Sequence, residues 1–329
     1  MGMDKRKLLI DTDPGIDDAY AILSAMLCDK FDILGILCVS GNKSLRIVTP
    51  NALRLVDLEK KDIPVCKGAW SCLKDLDKPL VGEISADCHG ADGMGESGLP
   101  YTERCLVDTP SWDFMLEKIK EYPDEVELVA IGPLTNLAIA IEKDVETMKQ
   151  LKSITIMGGT IEHRGNVTPY AEFNTWFDAE AAQMVIEKLG DSVDIRLVGL
   201  DATHNSVLSH DVFDFLAYEG GFRGELLERI SRSYIKAYYF DSQILGGIIH
   251  DLYAMLSLID PSIIEVEKEV KVKVICGGEH HGQFVECEDG KKITAVMKFD
   301  TKKLVRTFLN IMLTGKEEVI EKFLPVMVK

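Results

Sequence analysis

Six short, largely apolar runs separated by stretches of helical periodicity constrain this chain more than any other feature. They are "KLLIDT" (7–12), "FDILGILCVSG" (31–41), "IPVCKG" (63–68), "VELVAIG" (126–132), "SITIMGG" (153–159) and "DIRLVGL" (194–200). Runs of this kind, without polar alternation, mark strands buried on both faces. Most stop at Gly, Asp or Ser, which favour turns. Between them lie amphipathic stretches such as 17–27, 112–122, 133–143 and 178–190, with Pro133 placed for a helix start and Gly190 for a stop. Such alternation predicts an α/β fold: an open, mostly parallel central sheet flanked by helices. Beyond residue 208 the pattern changes. Residues 209–260 read as mainly helical, 270–298 as two or three strands forming a small antiparallel addition, and the tail from Thr301 as helical. The expectation is a single catalytic domain over 1–329 with loop insertions. The longest stretch without a clear element, 68–108, has the length of a functional lid.

Parallel sheets bind ligands outside the carboxyl ends of their strands. The first strand ends there in "DTDPGIDDAY", with Asp11, Asp13, Asp17 and Asp18 inside eight positions. A helix N-terminus near Asp17 accounts for two of these acids. It does not account for Asp11 and Asp13. No Lys or Arg lies between Lys7 and Lys30 to pair with them. Crowded carboxylates take up a proton or a cation, and an all-oxygen donor set favours a hard ion, Ca²⁺ or Mg²⁺.

The charge balance limits the partners. At a formal charge of −17 and a pI near 4.9, the surface repels phosphate backbones and anionic bilayers, so neither nucleic acid nor a membrane is an expected partner. No apolar run approaches the roughly 18 residues of a membrane span. The start "MGMDKRKLLIDTD" fits neither a signal peptide nor a myristoylation site. Eight cysteines without a CxxC pair read as free thiols of a cytoplasmic protein.

The acidic turn is followed in order by "SGN" (40–42), "VTPNALRLVDL" (48–58), "HGADGMG" (89–95), "AIGPLTNLA" (130–138), "MGG" (157–159), "GNVTPYAEFNTWFDAEAA" (165–182), "GLDATH" (199–204), "HDLYAML" (250–256) and "GQFVEC" (282–287). Together these resemble the nucleoside hydrolases, the inosine–uridine-preferring nucleoside N-ribohydrolase family, over most of the chain. The resemblance implies hydrolysis of the N-glycosidic bond of a ribonucleoside through an oxocarbenium-like transition state. It implies one Ca²⁺ held by Asp13, Asp18, Asp251 and the carbonyl of Ile131. Asp13 would be the base for the attacking water and Asp17 the grip on the ribose 2′-hydroxyl. Asn42 and Asn174 would lie near the 2′ and 3′ positions, Asn166 and Glu172 near the 5′-hydroxyl, and Met157 beside the sugar. His250 would protonate the leaving base, with His89 near it and Tyr238 or Tyr239 assisting; this set points to a broad or pyrimidine-leaning enzyme. The family also implies a homodimer or homotetramer.

Three stretches depart from the family pattern: 157–166 is about one residue longer, 89–100 is expanded, and "FVEC" replaces a threonine-containing strand. The first two fall on pocket-rim loops, where base preference is set. Plainer roles suit other residues. Asn136 would satisfy local backbone groups, Asp11 would orient its neighbours, "EVEKEVKVK" (265–273) would be a solvated strand face, and His280 and His281 a solvated hairpin turn. Two alternatives compete. A non-catalytic nucleoside-binding or sensor protein would lose the metal set, which is present. A haloacid-dehalogenase-type phosphatase wants Thr or Val where Gly15 stands.

Overall fold

Residue alternation in the first strand decides which side of the molecule each neighbour joins. In β1 (Arg6–Thr12), Leu8 and Ile10 enter one apolar cluster and Leu9 the other, as a period of two requires. The computed structural model describes residues 5–78 and 87–328. The terminal segment 1–4, with the Gly2 reading, and part of the expected lid, 79–86, lie outside the described residues.

The described residues form a nine-stranded sheet in the order β3-β2-β1-β4-β5-β6-β9-β7-β8. The remaining strands are β2 (Phe31–Cys38), β3 (Val65–Lys67), β4 (Val126–Ala130), β5 (Ser153–Met157), β6 (Asp194–Val198), β7 (Ile264–Val274), β8 (Phe284–Glu286) and β9 (Lys291–Phe299). Pairing is parallel from β3 through β9, and β7 runs antiparallel to both of its neighbours. The expected sheet and its C-terminal antiparallel addition are both present. The charged run in β7 alternates as a half-solvated strand should: Val270, Val272 and Val274 are buried while Lys271 is exposed.

Helices cover both faces. On one side lie α1 (Ile16–Leu27), α2 (Leu45–Leu58), α8 (His210–Glu219), α9 (Gly221–Ser242), α10 (His250–Ile259), α11 (Thr301–Met312) and α12 (Glu317–Met327). On the other lie α3 (Ser111–Glu121), α4 (Thr135–Met148) and α6 (Ala179–Leu189). Two short helices, α5 (Phe173–Phe177) and α7 (Leu200–Thr203), sit at strand ends. Helix α2 is absent from the sequence reading. It contains Pro50, which removes a helical N–H. Buried Val48, Ala52, Leu55 and Val56 nonetheless recur at helical spacing and bind it to the core.

The chain leaves β1 towards β2 and β3, and β4 then returns to the opposite flank of β1. Strand order therefore reverses between β1 and β4. The carboxyl ends of these two strands open a crevice at the reversal, where open α/β sheets bind their ligands.

Candidate active site

Alternation along β1 also separates its acids. Asp11 falls on the α4 side, where Asn136 Nδ2 donates to its Oδ2 at 2.8 Å and to Cys38 O at 3.1 Å. Asn136 Oδ1 accepts from Ala69 N at 2.8 Å, which fits its expected backbone role. Burial pushes the Asp11 carboxyl up to about 8. Asp11 does not line the cavity described below. The Thr12 hydroxyl, on the opposite face, donates to Asp18 Oδ1.

The turn after β1 packs the remaining acids beside one another. Asp18 Oδ2 accepts from Gly15 N at 2.9 Å and from Asn42 Nδ2 at 3.1 Å. Asp13 Oδ2 accepts from Asn42 N at 2.6 Å. The Asp13 carboxyl passes between two glycines that leave room for nothing larger. A Cβ on Gly41 would stand 2.1 Å from Oδ2, and one on Gly132 would stand 2.7 Å from Oδ1. Asp17 Oδ2 accepts from the Tyr234 hydroxyl at 3.0 Å. Asp251 arrives from the first turn of α10. Oxygens of Asp17, Asp18 and Asp251 lie within 4.8 Å of one another. Asp13 is not in that closest triad, although its charge acts on Asp251.

All four carboxyls are buried, and burial is the first cause holding each above its ordinary range. For Asp13, Asp17 and Asp251 the charges of neighbouring carboxylates add to the effect, and Asp17 reaches about 7. Asp13 Oδ1 and Asp17 Oδ1 are buried without a hydrogen-bond partner among the described residues. Orphaned oxygens in an all-oxygen cluster of excess negative charge suit a hard cation.

Asp17 and Asp251 line a cavity of about 370 Å³, with Asp18 and Asp13 packed beside them beneath its lining. One wall contains Asn42, Ile131, Met157, Asn166, Glu172 and Asn174. Asn174 Nδ2 donates to Ile131 O and to Met157 O, each at 3.2 Å. Glu172 is already engaged as the cap of α5. Its oxygens accept from Asn174 N at 2.9 Å, Thr175 N at 3.1 Å and Gly159 N at 2.9 Å. Asn166 is exposed at the rim.

The opposite wall is aromatic and imidazole. His250 begins α10. Its Nδ1 lies 2.8 Å from Thr203 Oγ1 and its Nε2 lies 2.6 Å from the Tyr238 hydroxyl. Burial, reinforced by His204 and His89, holds the His250 pKa well below the usual imidazole range, so the ring is neutral. His89 Nδ1 accepts from Ile16 N at 3.2 Å, which leaves the proton on Nε2; burial lowers this ring to about 3. Tyr238 lines the cavity, whereas Tyr239 is 53% exposed and outside it.

The sequence reading omits Tyr234, Phe173, Trp176, Val167 and Cys88, all of which line the cavity. Tyr234 carried a readable signal, since it precedes Tyr238 by four residues and so shares its helix face. The solvated-turn reading needs correction at His281. Its Nδ1 accepts from Gly277 N at 2.8 Å and its Nε2 donates to Trp176 O at 3.1 Å, so it braces α5. His280 is exposed as expected.

A carboxylate-floored cavity at the reversal point of an open sheet defines an α/β protein built around a small polar ligand. The family model for inosine-uridine preferring nucleoside hydrolases matches residues 8–306. Uridine nucleosidase 1 of Arabidopsis thaliana is 36% identical over 276 residues, covering 83% of this chain and 80% of that relative. A solved plant nucleoside hydrolase, PpNRh1, superposes with a TM-score of 0.88 at 30% identity, covering 94% of this chain and 99% of that one. A purine-preferring ribonucleoside hydrolase from Gardnerella vaginalis gives 0.87 at 26% identity, covering 95% and 100%. The chain belongs to the inosine–uridine-preferring nucleoside hydrolase family. It is an enzyme that hydrolyses the N-glycosidic bond of ribonucleosides, which sets aside the phosphatase and sensor alternatives.

Proposed function

We propose that this chain is a Ca²⁺-dependent ribonucleoside hydrolase of broad, pyrimidine-leaning preference. The observation that carries the reading is the buried triad of Asp17, Asp18 and Asp251, with oxygens within 4.8 Å of one another and Asp17 and Asp251 lining the cavity. Asp13, Asp18, Asp251 and the Ile131 carbonyl would hold the ion. When bound, Ca²⁺ supplies charge that keeps these carboxylates ionised and open positions for the two vicinal ribose hydroxyls.

The chain's own residues do the rest. Asp17, steadied through Oδ2 by Tyr234, offers its other oxygen to the 2′-hydroxyl. Asn42 and Asn174 meet the 2′ and 3′ positions, Met157 packs beside the sugar, and Asn166 and Glu172 meet the 5′-hydroxyl. Asp13 takes a proton from the water that attacks C1′ as the C1′–N bond breaks and its electrons leave with the base. Positive charge on the ribosyl group is met by the surrounding carboxylates. Neutral His250 sits between two hydroxyls, as a relay would. His250 supplies the proton that the leaving base takes, with Tyr238, joined to it at 2.6 Å, passing it on; the pair regains one proton from solvent as the products leave. His89 closes the base side.

Two measurements test this scheme. Tyr238→Phe is expected to lower kcat on uridine by roughly 10²-fold or more. It should barely change hydrolysis of p-nitrophenyl riboside, whose leaving group needs no proton. Equal losses on both would remove Tyr238 from the proton path. With so many polar groups committed to one sugar, 2′-deoxyuridine should be rejected by roughly 10⁴-fold. A deoxyuridine rate near that of uridine would sink the ribose assignments.

The pyrimidine preference rests on likeness to a uridine nucleosidase, and a panel of uridine, cytidine, inosine and adenosine decides it. We read residues 1–329 as one catalytic unit located in the cytoplasm, which its eight free thiols suit. No described helix is long and apolar enough to cross a membrane. We also propose a homodimer or homotetramer, to be tested by light scattering.

A further inference from the structure

We infer that Asp201 is a positioning residue: it fixes the rim loop 159–171 in the shape that presents Asn166, so recognition of the ribose 5′ end depends on a carboxylate that does not line the cavity. The inference rests on the reading above that Asn166 meets the 5′-hydroxyl.

Asp201 is the second residue of α7 and is 6% exposed. Its Oδ2 accepts from Ile161 N at 2.7 Å, and Thr160 Oγ1 lies 3.1 Å from it, sharing its one proton with His163 O at 2.8 Å. Its Oδ1 accepts from Glu162 N at 2.7 Å and His163 N at 2.8 Å. Three consecutive backbone N–H groups thus converge on one carboxylate, an anion nest filled from within the chain. Elsewhere the loop is held by Gly159 N to Glu172 Oε2 at 2.9 Å, by Thr168 Oγ1 accepting from Tyr170 N and Ala171 N, and by an exposed Glu162–Lys268 ion pair, none of which touches Asn166. Residues 162–164, 166 and 167 are exposed and in no helix or strand. Beyond the nest the loop folds back on itself through Gly165 N to Pro169 O at 3.1 Å and Val167 N to Ala171 O at 3.2 Å. Asn166 lies between those two donors, so the orientation of the nest is passed directly to it.

The same short segment reaches the base wall. Thr203 bonds His250, and the His204 ring lies 4.6 Å from that of His163 and 5.6 Å from that of His250. Residues 200–204 therefore tie the sugar rim to the base-side histidine. This gives a use to the rim stretch 157–166, whose length departs from the family pattern.

The test measures kcat and KM on uridine and 5′-deoxyuridine, with Ca²⁺ present, for the native enzyme, D201N, N166A and the double variant. The amide nitrogen of D201N turns a donor towards the nest. KM for uridine should rise by roughly 10–100-fold, with kcat within a few-fold and 5′-deoxyuridine hardly affected. The double variant should be no worse than N166A alone. If N166A costs uridine no more than 5′-deoxyuridine, the reading of Asn166 falls, and this inference with it. If N166A discriminates but D201N slows both substrates equally, or its loss adds in full to that of N166A, the inference alone is overturned. Should D201N not fold, T160V removes the hydroxyl shared between Asp201 and His163 O and must show the same substrate pattern with a smaller loss.

Discussion

Asp13→Asn is expected to lower kcat on uridine by roughly 10²–10⁴-fold, with a smaller change in KM. Asparagine has the shape of aspartate and can still accept from Asn42 N, the 2.6 Å contact that orients residue 13. What it loses is the negative charge and the basic oxygen, Oδ1, which is buried without a hydrogen-bond partner among the described residues. A fold-preserving change with a large kcat loss is the signature of a group that acts in the transition state. Gly41→Ala gives an independent check, because it leaves the charge in place. Its Cβ would meet Asp13 Oδ2 at 2.1 Å, too close for any real contact, so the carboxylate must move. A loss of comparable order is expected from that displacement alone. Melting curves separate both variants from simple unfolding. D13N activity within a few-fold of the native enzyme would take the base away from Asp13.

Elements whose apolar pattern is local are legible in the sequence. The parallel strands are short buried runs ended by turn residues, so each announces itself within a few positions. Their order in the sheet is not local, yet it makes the site: the reversal between β1 and β4 brings Asp13 and Ile131 to one crevice. The strand-end placement of "DTDPG" could be read because side chains and sheets obey fixed periods. The division of labour within it followed only when alternation along β1 sent Asp11 to Asn136 and Thr12 to Asp18. Helix α2 was hidden by Pro50, whose local cost is outweighed by buried Val48, Ala52 and Leu55. Trp176 and Phe173 were not legible for another reason. Aromatic residues on helices are ordinarily core, and only the cavity distinguishes a lining ring from a packed one. Asp201 illustrates the same limit for polar groups, since nothing in "GLDATH" says that its carboxylate closes a loop about 40 residues earlier.

Removing divalent cations is expected to abolish activity and to make stability fall as pH rises. The sign comes from the carboxyls themselves. Asp17 is pushed up to about 7 in the folded protein, from an ordinary value of 3.8. Between these two values the folded state holds a proton that the unfolded chain has released, so stability declines with pH across the window. Asp13, Asp18 and Asp251 are shifted in the same direction, with burial as the leading cause. Ca²⁺ reverses the dependence at this cluster by favouring the ionised forms, so binding should release protons and tighten with pH. Asp11, pushed up to about 8 on the other face of the sheet, is not relieved and keeps a residual slope. The measurement is the melting temperature from pH 5 to 8, with EGTA or with millimolar Ca²⁺. The two curves should lie close together at pH 5 and diverge towards pH 8, with the Ca²⁺ curve higher by on the order of 5–10 °C. Restoring Ca²⁺ should restore activity along the same pH course. Coincident curves at every pH, with activity indifferent to EGTA, would mean that the four acids share protons and hold no ion.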